Sequence, residues 1–134
     1  MLANVAVVVN GNGLITAVLP ADSPDAAEAA RRANTVVRLG QHERLLPGLI
    51  DTHVHAPQWP QLGTGLDLPL EQWLFDYTFP LEAKYADTSF AQSVWQHMVP
   101  TFLRHGTTTS VYYATVHTES TTLLAQTCLE HGQR

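Results

Sequence analysis

Apolar and polar positions along the chain change period several times, and each change marks an element. Val5 to Val9 is a short, β-branched run closed by Asn10-Gly11-Asn12-Gly13, and Leu14 to Leu19 follows it. Two such runs around an Asn-Gly step predict a β-hairpin. Ser23-Pro24-Asp25 then opens an Ala-rich helix to about Arg32, with Ser23 as N-cap and Pro24 at the first helical position. Thr35 to Leu39 reads as a third strand. Residues 1–44 thus form a small β unit. Its three strands and one helix close no sheet, so partner strands are expected before Met1, after Arg134, or both.

The character changes at Pro47-Gly48. Leu49 to His55 reads as a strand. Residues 56–87 carry Pro57, Pro60, Pro69, Pro80 and scattered aromatics, and read as a long loop with one helical stretch from Leu70 to Tyr77. Loops of that length in compact domains are usually functional. Phe90, Val94, Met98 and Phe102 recur at helical spacing, flanked by Ala91, Trp95, Val99 and Leu103. This predicts a helix from Ser89 to Arg104, with Ser89 and Gln92 as a capping box, Gly106 as the stop and a kink at Pro100. Thr107 to Ala114 is β-branched and aromatic, as in a strand. A last helix runs from about Glu119 to His131 and ends at Gly132. From residue 45 the order is strand, loop, helix, strand, helix, which is the alternation of an α/β fold with parallel strands.

Composition narrows the function. Of the 134 residues, 45% are apolar and 14% charged, and the net charge is -5. With no basic cluster beyond Arg31-Arg32, nucleic-acid binding through phosphate neutralisation is not expected. The single cysteine, Cys128, rules out an intramolecular disulfide and a thiolate zinc cage, and suits a cytoplasmic setting. Val5 to Val9 falls far short of a membrane span of about 20 residues, so no membrane partner is expected.

The candidate chemistry lies in His53-Val54-His55. On a strand, residues two apart point to one face, so the imidazoles of His53 and His55 can reach one metal ion, and zinc suits such ligands. Asp51 shares their parity and is placed one layer deeper as a structural carboxylate. By itself a His-X-His pair is better explained by two satisfied or surface histidines. Its context adds weight: the pair ends a strand and leads into a long loop.

Pro47-Gly48-Leu49-Ile50-Asp51-Thr52-His53-Val54-His55 resembles the first barrel strand of the amidohydrolase superfamily. His55-Ala56-Pro57-Gln58, Gly65 to Leu74, Asp76 to Glu82, and Tyr113 to Thr118 are similar to the guanine deaminase branch of it. The likeness spans roughly residues 44–134 and fades over 1–43. It implies an incomplete (β/α)8 TIM-like barrel over residues 45–134, made of its first two β/α units and preceded by part of a small β-sandwich over 1–44. It implies zinc (Zn2+) held by His53 and His55, and a guanine substrate met by His55, Ala56, Pro57, Gln58 and Trp59. The Gln58 amide offers a donor and an acceptor to the purine edge. A homodimer is implied by analogy alone.

The same resemblance implies a catalytic Glu, two further metal ligands and another site His on later strands, beyond Arg134. No catalytic residue is therefore expected in these residues, and the 134-residue chain by itself is expected not to deaminate guanine. Two other readings stay open: an amidohydrolase acting on a different amino-heterocycle, and a non-enzymatic metal-binding or interaction fragment. Trp59 and Trp73, as single aromatics in a long loop, are better explained by packing than by a pocket wall. His117-Thr118-Glu119 matches half the signature of the cytidine-type zinc deaminases, but the paired cysteines those need are missing. His117 is instead expected at the end of the second barrel strand. His97 and His105 suit the end of a helix; His42 and His131 suit the surface. Cys128 reads as a small hydrophobe beside Leu124. In isolation the chain is expected to expose large apolar patches.

Overall fold

A computed structural model describes residues 2–134, which divide into two compact units, one up to Leu45 and one over Leu46–Arg134. In the first unit, β1 (Val5–Val9) pairs antiparallel with β2 (Ile15–Pro20), from Val5 opposite Pro20 to Val9 opposite Ile15. Asn10 builds the turn. Its side-chain oxygen accepts from the N–H groups of Asn12 and Leu14, both at 3.0 Å. Gly13 supplies the positive φ of 77° that closes it. Helix α1 (Pro24–Arg32) starts as the sequence suggests: Ser23 caps it through the Ala26 N–H at 3.1 Å, with Pro24 in its first turn.

The third strand expected at Thr35 to Leu39 does not form; those residues are irregular. β-branched side chains suit a pleated surface but cannot replace a ladder partner. Among the described residues the hairpin offers this stretch none.

In the second unit, β3 (Leu49–His55) and β4 (Thr107–Tyr113) run parallel, and His55 lies beside Tyr113. The register shifts between Asp51 and Val54. Gly48, just before β3, leaves room for Thr108. A Cβ there would lie 2.0 Å from Thr108 Oγ1 and 2.7 Å from its Cβ.

Residues 56–87 are not the loop their prolines suggest. They coil through a 3-10 turn at Ala56–Gln61, then α2 (Leu70–Trp73), a π turn at Leu74–Thr78, α3 (Phe79–Ala83) and a 3-10 turn at Lys84–Ala86. Three of the four prolines suit this, because Pro57 and Pro80 sit in first turns and Pro69 sits at an N-cap, where no N–H has to be donated; Pro60 lies inside the 3-10 turn. Two side chains brace the coil. Trp73 Nε1 donates to the Thr64 carbonyl at 2.8 Å, and Gln61 Nε2 donates to Thr78 Oγ1 at 2.7 Å.

Helix α4 (Thr88–Arg104) lies between the two strands in sequence and stays one helix across Pro100. Its N-cap is Asp87, two positions before the expected Ser89. The Asp87 carboxylate accepts from the Ser89 N–H at 2.8 Å and from the Phe90 N–H, so Ser89 lies inside the helix, without a capping box. Helix α5 (Thr118–His131) ends at Gly132, whose φ of 75° is the left-handed cap that the sequence suggests.

The expected stripe on α4 is the core. Ala91, Val94, Trp95, Met98 and Val99 are buried with Ala56, Tyr85 and Leu124, and Phe90, Phe102, Leu103, Tyr112 and Cys128 pack around them. The end of α5 returns to β4. Arg134 N–H donates to the Thr108 carbonyl at 3.0 Å, and its own carbonyl accepts from Ser110 N–H at 2.7 Å, the bonding of a parallel ladder. Buried Gln133 locks that return, accepting from Tyr112 Oη at 2.8 Å and donating to the Thr107 carbonyl at 3.1 Å. Apolar side chains on the strands stay uncovered, among them Leu49, Ile50 and Val111, as expected for strands that lack neighbours.

Candidate functional site

The site lies at the carboxyl ends of the two parallel strands, where α/β folds gather their functional groups. His53 and His55 project together, and their Nε2 atoms come within 3.0 Å. Without a metal, that separation is one N–H···N hydrogen bond between imidazoles. It also suits a shared ion, because two Zn–N bonds of about 2.0–2.1 Å at a tetrahedral angle hold their nitrogens about 3.3 Å apart. Both rings are solvent-exposed, so neither is spent on filling the core.

Tyr113, at the end of β4, forms the wall beside them. Its ring centroid lies 4.4 Å from that of His53 and 5.1 Å from that of His55, nearly parallel to the latter at 20°. Sequence reasoning placed Tyr113 on a strand and gave it no role. The signal that could have found it is the ladder register, which a single sequence does not supply.

The other candidates fall around this pair. Asp51 turns back on its own strand, where its Oδ1 accepts from the His53 N–H at 3.1 Å. Among the described residues no three His, Cys, Asp or Glu side chains gather into a metal-binding group, so neither Asp51, His117 nor Glu119 joins the pair. Two imidazoles are fewer than the three or four ligands that zinc takes from proteins. His117 occupies the N-cap position of α5. The rings of His97 and His105 donate from Nδ1 to carbonyls of their own helix, Ser93 at 2.7 Å and Thr101 at 2.8 Å, a structural use.

In the 3-10 turn after His55, Ala56 and Pro57 are buried and Trp59 packs against the core. Gln58 is half-buried, and its amide forms no hydrogen bond among the described residues. The turn is anchored from below by Tyr85, whose hydroxyl donates to the Pro57 carbonyl at 3.0 Å. Burial raises the Tyr85 phenol well above its ordinary value, and Glu82 adds to this. Sequence reasoning missed Tyr85, which stands in the segment read as loop. Burial also pushes Tyr112 up to about 12 and raises the Cys128 thiol, in keeping with Cys128 as a packing residue.

The pair at the strand ends, the parallel ladder and the helix between them meet a matching family: the amidohydrolase family model covers residues 44–134. The chain belongs to the amidohydrolase family. Its relatives within that family include the guanine deaminase of Dictyostelium discoideum, 52% identical over 100 residues, or 75% of this chain and 22% of that protein. The probable guanine deaminase of Schizosaccharomyces pombe is 42% identical over 128 residues, or 92% of this chain and 24% of that protein. A crystal structure of guanine deaminase from C. acetobutylicum, with guanine bound in its active site, superposes with a TM-score of 0.76 at 32% identity. That alignment covers 95% of this chain and 29% of the other. The chain thus spans about a quarter of the length of the curated relatives it matches. Among the described residues no helix is long and apolar enough to cross a membrane.

Proposed function

We propose that this chain is the metal-binding front of a zinc-dependent guanine deaminase, which hydrolyses guanine to xanthine and ammonia in a polypeptide of its relatives' length. The convergence of His53 and His55 at 3.0 Å, in a chain of this family, carries the reading. His53 and His55 would hold the ion, which, when bound, supplies the Lewis acidity that makes water nucleophilic at neutral pH. Gln58 would hydrogen-bond the purine edge, its amide matching a base that carries both donors and acceptors. Ala56, Pro57 and Trp59 would serve the same subsite by fixing the turn that presents Gln58, and His55 would border it.

No residue of this chain is assigned the proton transfer. Among the described residues no carboxylate joins the His53/His55 pair in a metal-binding group, so the 134 residues alone would not turn guanine over. In the same reading β3, α4, β4 and α5 are the first two units of a (β/α)8 barrel, supported by the parallel register and by the pairing of Arg134 with β4. The hairpin unit is part of a β-sandwich. A cytoplasmic setting is supported by the single cysteine, and a homodimer by family analogy.

The test is a substrate panel on the longest reading frame that contains this sequence, read by ammonia release and product chromatography. Guanine should give xanthine and ammonia in equal amounts, with kcat/KM above other amino-purines and amino-triazines by about 100-fold or more. Preference for another amino-heterocycle, or no turnover of guanine, would overturn the assignment.

A further inference from the structure

The rings of His53 and His55 are exposed, and the one N–H···N bond between them competes with bonds to water. Each turns about two bonds, and holding both rings in one arrangement costs rotamer entropy. Asp51 restrains only backbone, through the His53 N–H. The group that touches both rings is Tyr113, with centroids at 4.4 and 5.1 Å. The ladder explains why. His55 and Tyr113 are register partners, so their side chains leave the sheet on one face, and His53, two residues earlier, shares it. Tyr112, one residue before, leaves on the other face and stacks on Phe102 of α4 at 6.2 Å and 9°. The Tyr113 hydroxyl makes no hydrogen bond among the described residues, so contact with the histidines is made by the ring.

We propose that Tyr113 is the positioning residue of the two-histidine site: its ring packs against both imidazoles and holds their Nε2 atoms convergent on one divalent cation. The proposal rests on the reading of His53 and His55 as metal ligands. A ring without a hydroxyl would serve equally, and an aliphatic side chain, lacking the flat face, would not.

The experiment measures zinc affinity of the 134-residue chain by competition with a chromophoric chelator, for the unmodified chain and for Tyr113→Phe, Tyr113→Leu and His53→Ala. The Phe variant should bind within about twofold of the unmodified chain, and the Leu variant about tenfold or more weaker with unchanged far-UV circular dichroism. Equal affinity for the unmodified chain and the Leu variant would overturn the proposal, as would a Phe variant as weak as the Leu variant. An unmodified chain that binds no tighter than His53→Ala would overturn the metal site itself, and the role of Tyr113 with it. Should the Leu variant fail to fold, proton NMR of the unmodified chain decides. Ring C–H signals of His53 and His55 shifted upfield by the Tyr113 ring support the proposal, and signals at their unfolded positions overturn it.

Discussion

The hydroxyl of Tyr85 and the carbonyl of Pro57, 28 residues apart, are joined by a buried hydrogen bond of 3.0 Å. It ties the turn that follows His55 to the helical core. The chain of bonds continues, since the Tyr85 carbonyl accepts from the Ser120 hydroxyl and the Ser120 carbonyl accepts from Trp95 Nε1. Strand end, coil, α4 and α5 are thereby held by one run of polar contacts inside an apolar cluster. Tyr85→Phe keeps the ring and leaves the Pro57 carbonyl unsatisfied, so it should cost about 1–3 kcal/mol. Urea unfolding of the two chains checks this, and an unchanged midpoint would show that the bond contributes nothing.

Gly48 tests the approach of β3 to β4. With Thr108 Oγ1 only 2.0 Å from where a Cβ would sit, Gly48→Ala should destabilise by about 1–3 kcal/mol, the usual cost of overpacking. Adding Thr108→Ala removes the two nearest atoms and should recover part of the loss. A double variant no better than the single one would place the strain elsewhere.

Asp87 sets the acid limit. Its carboxyl is held below the ordinary range first by the Ser89 hydroxyl, then by the Ser89 and Phe90 N–H groups. A lowered carboxyl stabilises the fold above its unfolded value, about 3.9, and that contribution is lost as pH falls through the lower folded value. Thermal melts below about pH 4 should therefore show a shallower acid-induced drop for Asp87→Asn than for the unmodified chain. Parallel pH profiles would remove Asp87 from the account of the cap.

Tyr112 sets the alkaline limit. Its phenol is pushed up to about 12 by burial, so the folded state disfavours the anion. Its stabilising share is complete below the ordinary phenol value near 10 and is lost as pH rises through about 12. Tyrosinate absorbance from Tyr112, assigned by difference with Tyr112→Phe, should appear together with the loss of circular dichroism. Its appearance near pH 10 with the fold intact would contradict the buried placement.

Much of this architecture was legible in local pattern. The β-branched run Val5 to Val9 with its Asn-Gly turn, the Phe90 to Phe102 stripe at helical spacing and the strand ending in His55 are local signals, and the structure places all three as expected. Departures arise where local signals lack their tertiary partner. Thr35 to Leu39 has strand composition but no neighbour to pair with. The prolines of residues 56–87 signal a loop until the first-turn positions of Pro57 and Pro80 and the N-cap position of Pro69 are known. Asp87 and Ser89 are both competent caps, and the chain's entry into α4 selects the earlier one. The convergence of His53 and His55 follows from their spacing on one strand, while reading them as a metal pair drew on the family resemblance. Tyr113 was not evident, because its contact depends on register between strands 58 residues apart, as His55 beside Tyr113 shows.

The link from the histidine pair to the chemistry is measured most directly by guanine turnover in the longest reading frame containing this sequence, with His53→Ala and His55→Ala made singly. Each variant should lose at least about 100-fold in kcat, the upper range for disturbing even a metal's outer-shell contacts, with part of the activity of the weakened site returning at high zinc. Variants that keep most of the unmodified rate would contradict the assignment of His53 and His55 as the metal-holding centre of a deaminase.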